Sequence, residues 1–272
     1  KCYSQVEEFL KKDRKVLFSG TPCQIAGLKR FLRKEYDNLL MVDFVCHGVP
    51  SPGVWREYLK EETARQCGGK KLILSHPISN GRDARIESIS FRNKCLGWKK
   101  FSFVLTISVS NRHGEKKIVL LSEPLNKNIF LRGFLADLYL RPSCHACPAK
   151  SLKSGSDITI GDFWGIQNVM PEIDDNKGVS VVMVSTEKGK EIWGEIATIN
   201  YEVTFDDVVA ANSALIRSVN LNRYRNMFYG NRMNTIEMRV ASLTSISFCQ
   251  RCHRLLSVIL LRLGLLDRLK DK

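Results

Sequence analysis

Two cysteines separated by two residues, Cys144-His145-Ala146-Cys147, with Pro148 directly after them, are the strongest local sign of chemistry in this chain. A tight loop turns both sulfurs the same way, so the pair can grip one metal centre. A proline after such a cysteine recurs in iron–sulfur ligand runs. Taken alone, the pair also fits half of a zinc ribbon or a redox dithiol. A four-thiolate centre needs two more sulfurs, and Cys23 and Cys46 are the natural candidates, because each falls in a loop just past a predicted strand. They do not form a second close doublet, as the ligands of a structural zinc site usually do.

Polar residues with a possible role flank these cysteines. His47 follows Cys46 and could donate to a cluster sulfur or to a cofactor edge. Gly20-Thr21-Pro22 opens a helix, where exposed backbone N–H groups suit an anion or a sulfide. Gly161-Asp162 ends a predicted strand. The glycine there would let a cofactor approach the backbone, and Asp162 offers either a hydrogen-bond partner for that cofactor or a helix cap.

The other cysteines carry less. Cys249-x-x-Cys252-His253 has the spacing of a haem attachment, but such attachment belongs to exported proteins and this match lies in a basic amphipathic stretch, so chance accounts for it. Cys2, Cys67 and Cys95 stand alone and read as small packing residues. Nine cysteines without an export signal argue against a disulfide framework and for a reducing compartment, the cytoplasm.

The elements that must position these residues are readable in the pattern. Residues 3–12 read as a helix, and the apolar run 16–19 as a buried strand. Thr21 and Pro22 then cap and open a helix that carries Ile25, Leu28 and Leu32 on one face to about Lys34. Residues 39–45 form a second strand, and Ser51-Pro52 opens a helix to about Arg65. Strand, helix, strand, helix is a parallel βαβ unit, and its strand ends, where Cys23 and Cys46 fall, are where such sheets hold ligands. Residues 86–92, 101–110 and 117–121 read as strands. The second alternates Phe101, Phe103, Leu105, Ile107 and Val109 with mostly hydroxyl residues, and a turn at 111–114 predicts an antiparallel hairpin. A helix over 128–140, a strand over 157–160, a strand over 179–185, a helix over 188–197 and a helical region beyond Val208 complete the reading. It gives an α/β class: a parallel N-terminal unit continued by a mixed sheet with an antiparallel hairpin and a helical C-terminal segment. The expected domains are 1–70, 71–221 and a helical extension, 222–272.

Composition narrows the classes. With 44% apolar and 26% charged residues over 272 positions, the chain can bury a sizeable core and is not a disordered or fibrous type. The longest apolar run, from Leu255 to Leu266, is broken by Arg262 and is too short to span a bilayer. Residues 249–270 are amphipathic and basic, suited to packing on the core or a partner. The net charge of +14 suits an acidic protein partner or a phosphate-bearing cofactor. No aromatic-plus-basic motif points to nucleic acid. The chain opens without Met in what reads as mid-helix, which predicts that a front end is missing.

Four blocks together carry a resemblance. They are residues 16–24 with Gly20-Thr21-Pro22-Cys23-Gln24, residues 43–52 with Cys46-His47-Gly48, the Cys144/Cys147 doublet with Pro148, and residues 157–165 with Gly161-Asp162-Phe163-Trp164-Gly165. In that order they resemble the beta subunit family of coenzyme F420 hydrogenases and dehydrogenases. The resemblance implies an α/β flavoprotein that binds FAD and a [4Fe-4S] cluster, and it assigns Cys23, Cys46, Cys144 and Cys147 as the cluster ligands. It puts Gly20, Thr21, Gln24, His47, Gly48, Gly161 and Asp162 near cluster and flavin. It further implies electron entry from a ferredoxin, separate or fused upstream, and delivery through the flavin to a small-molecule acceptor. The Phe163-Trp164 pair resembles the bacterial branch, so F420 itself is not the expected acceptor. Two other readings stay beside this one: a zinc-stabilised interaction module without redox chemistry, and an accessory of polysaccharide biosynthesis.

Overall fold

The computed structural model describes residues 2–68, 84–110, 116–231 and 234–244. Helix α1 (Tyr3–Lys11) leads into strand β1 (Val16–Ser19), helix α2 (Pro22–Leu32), strand β2 (Leu39–Phe44) and helix α3 (Pro52–Gln66). Pro22 and Pro52 each sit in the first helical turn behind an extended N-cap residue, Thr21 and Ser51. A missing N–H costs nothing there, and the fixed φ is already helical. Ile25, Leu28 and Leu32 form the buried stripe of α2 at spacings of three and four. The predicted βαβ unit is therefore present, with β1 and β2 pairing in parallel.

Strands β3 (Ala84–Asn93), β4 (Ser102–Ser110) and β5 (Lys116–Pro124) follow, then helix α4 (Ile129–Leu135), a 3-10 turn (Pro142–Ala146) and strand β6 (Ile158–Asp162). Helix α5 (Ile166–Val169), strand β7 (Ser180–Val184) and helices α6 (Glu187–Gly194), α7 (Phe205–Ala211), α8 (Arg225–Gly230) and α9 (Ile236–Thr244) complete the described chain. The strands of the described residues fall into two sheets. One is mixed, in the order β1-β2-β6-β7, with β6 parallel to β2 and β7 antiparallel to β6. The other is the antiparallel β3-β4-β5. The class is the expected one, and the hairpin joins β3 in a sheet of its own. The 111–114 turn, the 249–270 segment and its Cys249/Cys252 pair lie outside the described residues.

Among the described residues, three clusters make the core. Residues on one side of the mixed sheet, among them Leu39 and Met41, pack with Val6 and Leu10 of α1 and the α2 stripe. The three-stranded sheet lays Phe103, Leu105 and Ile107 against Tyr58 of α3, Phe130 of α4 and Val240 of α9. The alternation read in β4 is this buried face. A third cluster, around Trp98, Phe163, Ile166 and Val181, joins β7 to the loop after β3. The opposite side of the mixed sheet is less covered. The register puts Leu17, Phe44, Ile160 and Val184 on it, all exposed, while Gly189 of α6 packs close to Ile158. No helix among the described residues is long and apolar enough to cross a membrane.

One element differs from expectation. The helix expected over 128–140 stops at Leu135, with Ala136 as its C-cap. Asp137 takes the left-handed conformation at φ 58, which turns the chain. Leu138, Tyr139 and Leu140 then run on fully buried. Their apolar spacing looked helical, but the residues serve the core and a bridge to Pro50 instead.

Candidate functional site

The four predicted ligand cysteines come from three places. Cys23 is the second residue of α2, Cys46 lies two residues past β2, and Cys144 and Cys147 belong to the 3-10 turn and its end. Two of these segments are zipped together by backbone. Arg141 N–H donates to the Val49 carbonyl at 2.8 Å and Ser51 N–H to the Tyr139 carbonyl at 2.8 Å, around the Pro50–Leu140 bridge. The zipper carries the Cys46 loop alongside the Cys144 loop, and Val49 N–H donates to Cys144 Sγ at 3.3 Å. The tight approach needs Gly48, because a Cβ there would stand 2.8 Å from Leu140 Cδ1.

Electrostatics identify the same neighbourhood. Burial pushes the Cys46 thiol up to about 11; Lys150 opposes the rise, and Cys144, Cys23 and Cys147 add to it. Cys46, Cys144 and Cys147 are half-buried and Cys23 is exposed, all as free thiols. The Thr21 hydroxyl lies 3.2 Å from Cys23 Sγ.

Coordination distance is a stricter measure than electrostatic reach. Among the described residues no three His, Cys, Asp or Glu side chains lie close enough to hold one metal ion. A single zinc ion gathers its thiolates at about 2.3 Å from one centre. A cubane binds each of its four thiolates through a different iron and spreads them around a larger core. By donor chemistry alone, four thiols on three segments, one of them already accepting from a backbone N–H, are of the type such a core takes.

The remaining site residues each have a partner within the protein. The Gln24 side-chain oxygen accepts from Thr21 N–H at 2.9 Å and from the Thr21 hydroxyl at 3.0 Å, closing the helix N-terminus. Gly20 N–H is taken by the Val42 carbonyl at 3.1 Å. His47 Nε2 meets Asp137 Oδ1 at 2.7 Å, and its ring stands edge-on to Phe134. Asp162 pairs with Arg92 of β3, whose guanidinium lies over the Phe101 and Trp164 rings. A Cβ at Gly161 would come within 2.7 Å of Val45 Cγ2, so packing accounts for that glycine.

Sequence reasoning missed the residues that clamp the cysteine loops. The Ser218 hydroxyl accepts from Cys147 N–H at 3.0 Å, His145 Nδ1 lies 3.2 Å from the Val219 carbonyl, and Ser151 N–H reaches the Leu215 carbonyl at 2.9 Å. Lys150 donates to the carbonyls of Cys46 and Ala214. Residues 214–219 show no motif, so only the pairing itself reveals them. Lys150 had one available signal, its place three residues after Cys147.

No curated protein and no solved structure matches the chain. The family model described as the C terminus of the coenzyme F420 hydrogenase/dehydrogenase beta subunit matches residues 13–208, well over half of the 272 positions. That span takes in all four cysteines, both flanking glycine motifs and every strand of both sheets. The chain belongs to this family of redox-enzyme subunits.

Proposed function

We propose that the protein is a cytoplasmic oxidoreductase in which Cys23, Cys46, Cys144 and Cys147 hold a [4Fe-4S] cluster beside a bound FAD. The observation that carries the reading is the zipper between residues 49–51 and 139–141, which sets the Cys46 loop against the Cys144/Cys147 loop. Family membership supports redox chemistry in general. When bound, the cluster would supply single-electron transfer and the flavin would supply hydride chemistry, each hydride taking two of those electrons and one proton from solvent.

The chain's own residues have definite tasks in this scheme. The four thiols must lose their protons to ligate, and burial opposes that loss at Cys46. Val49 N–H donates to a ligand sulfur, a contact that favours added electrons on a cluster. Asp137 fixes the His47 ring, leaving Nδ1 as the nitrogen not used in that contact. The basic surface, with a net charge of +14, favours an acidic electron donor of the ferredoxin type. The acceptor is an unidentified small molecule.

Anaerobic reconstitution with iron and sulfide tests the proposal through absorbance and EPR. The wild type should take up four irons and four sulfides, and Cys147→Ser should lose the signal. An unchanged spectrum in Cys147→Ser would remove that residue from the ligand set. Stoichiometric zinc without sulfide in protein purified anaerobically would favour the zinc-stabilised module instead.

A further inference from the structure

Lys150 places a cation where the cysteine segments meet. Lys150 follows Cys147 by three residues, and its ammonium donates to the Cys46 carbonyl and to the Ala214 carbonyl. It therefore ties together the Cys46 loop, the stretch after Cys147 and the 214–219 segment that clamps Cys147. Ala149 is buried just before it and fixes where the side chain starts. Both partners are neutral carbonyls. Asp43 lines a small cavity with Cys46 and Lys150 and keeps its negative charge while accepting from the Thr159 hydroxyl at 2.5 Å, so it offsets part of the ammonium's field. The ammonium lies against the backbone of Cys46, one of the four predicted ligands.

A group held by four thiolates is anionic, and each added electron makes it more so. A fixed positive charge at short range stabilises the reduced form more than the oxidised one, and burial weakens the screening of that difference. We propose that Lys150 is a positioning residue that raises the reduction potential of the cluster, by anchoring the Cys46 loop and by holding an ammonium beside its ligands. The assignment rests on the cluster reading given above. It adds a residue outside the ligand set and the cofactor motifs.

The test uses the full chain, reconstituted anaerobically and titrated with dithionite and mediators while EPR follows the one-electron reduction. Lys150→Met removes charge and hydrogen bonds together, Lys150→Gln keeps a donor without the charge, and Lys150→Arg keeps the charge. Iron and sulfide content and the melting of the apo forms are measured in parallel. Lys150→Met and Lys150→Gln should each show about a tenfold lower reduced-to-oxidised ratio at fixed potential, equivalent to about 59 mV for one electron. Lys150→Arg should stay near wild type. Equal shifts in all three variants, or none in Lys150→Gln, would overturn the role of the charge even if stability changed. If Lys150→Met loads no cluster, Lys150→Gln and Lys150→Arg decide the question. Failure of the wild type to take up iron and sulfide would sink the cluster reading and this assignment with it; a loaded wild type with unmoved variants would sink only the assignment.

Discussion

Gly48 is the point at which a single methyl group should disturb the site. Its backbone is not in the left-handed region, so alanine is conformationally allowed. The obstacle is steric. The new Cβ would meet Leu140 Cδ1 at 2.8 Å and Cδ2 at 3.3 Å. Leu140 is fully buried, so it cannot swing clear without moving its neighbours. Overpacking of this kind costs about 1–3 kcal/mol. Alanine also restricts the unfolded chain, returning about 0.4–1 kcal/mol. Gly48→Ala should therefore lose on the order of 1–2 kcal/mol after both terms. Leu140→Val withdraws the offending atoms and alone should cost about 1 kcal/mol. Because the two changes meet at one contact, the double variant should be less destabilised than the sum of the singles by at least about 0.5 kcal/mol. Urea unfolding of all four proteins measures the cycle. A Gly48→Ala protein as stable as wild type, or strictly additive variants, would refute the steric reasoning and with it the close approach of the two cysteine-bearing loops.

Asp157 is buried and accepts from Met41 N–H at 2.7 Å and from the Thr186 hydroxyl at 2.7 Å, tying β2 to the start of α6; Asp157→Ala strands the buried Met41 N–H and frees the exposed Thr186 hydroxyl to water, and should cost about 2 kcal/mol in urea unfolding. Gly133→Ala should be poorly tolerated, since its Cβ would lie 2.5 Å from the ring of fully buried Tyr139, and a sharp loss of soluble yield and melting temperature checks this. Glu61 has its carboxyl raised by burial, against a lowering hydrogen bond from Ile236 N–H. A carboxyl whose folded value lies above its unfolded one binds its proton more tightly in the native state. Its contribution to stability is therefore full below the unfolded value, about 4.3, and is lost as pH rises through the folded one. Glu61→Gln should flatten that loss in unfolding free energies measured from pH 4 to 7; an unchanged slope would show that Glu61 is not its source.

Much of this architecture is legible in the sequence, for local reasons. The apolar runs at β1 and β2 and the proline-led starts of α2 and α3 depend on neighbours a few residues away, so they survive out of context. The period-two pattern of β4 is equally local. The pairing of β6 beside β2 is not, because Asp43 and Thr159 meet across 116 residues and nothing in either strand names the other. The end of α4 was misread because Leu138 and Leu140 keep helical-looking spacing while Asp137 turns the chain. At the site, the cysteines stand out by type. Gln24 stood out by its place in a motif, yet it serves the cap of α2. Ser218 acts through a hydrogen bond that no local pattern announces, and Lys150 through two, signalled only by its place after Cys147.

The sparsely covered side of the mixed sheet bears on how the purified chain will behave. Phe44 and Ile160 are direct neighbours across β2 and β6, both more than two-fifths exposed, and Leu17 stands out further on β1. Contiguous greasy panels of this kind retain proteins on hydrophobic resin and limit the concentration they reach before they self-associate. The +14 charge opposes such clumping only while salt is low. Colloidal stability should therefore worsen in high-salt buffer, and lysine at position 17 should restore it without touching the cysteine loops.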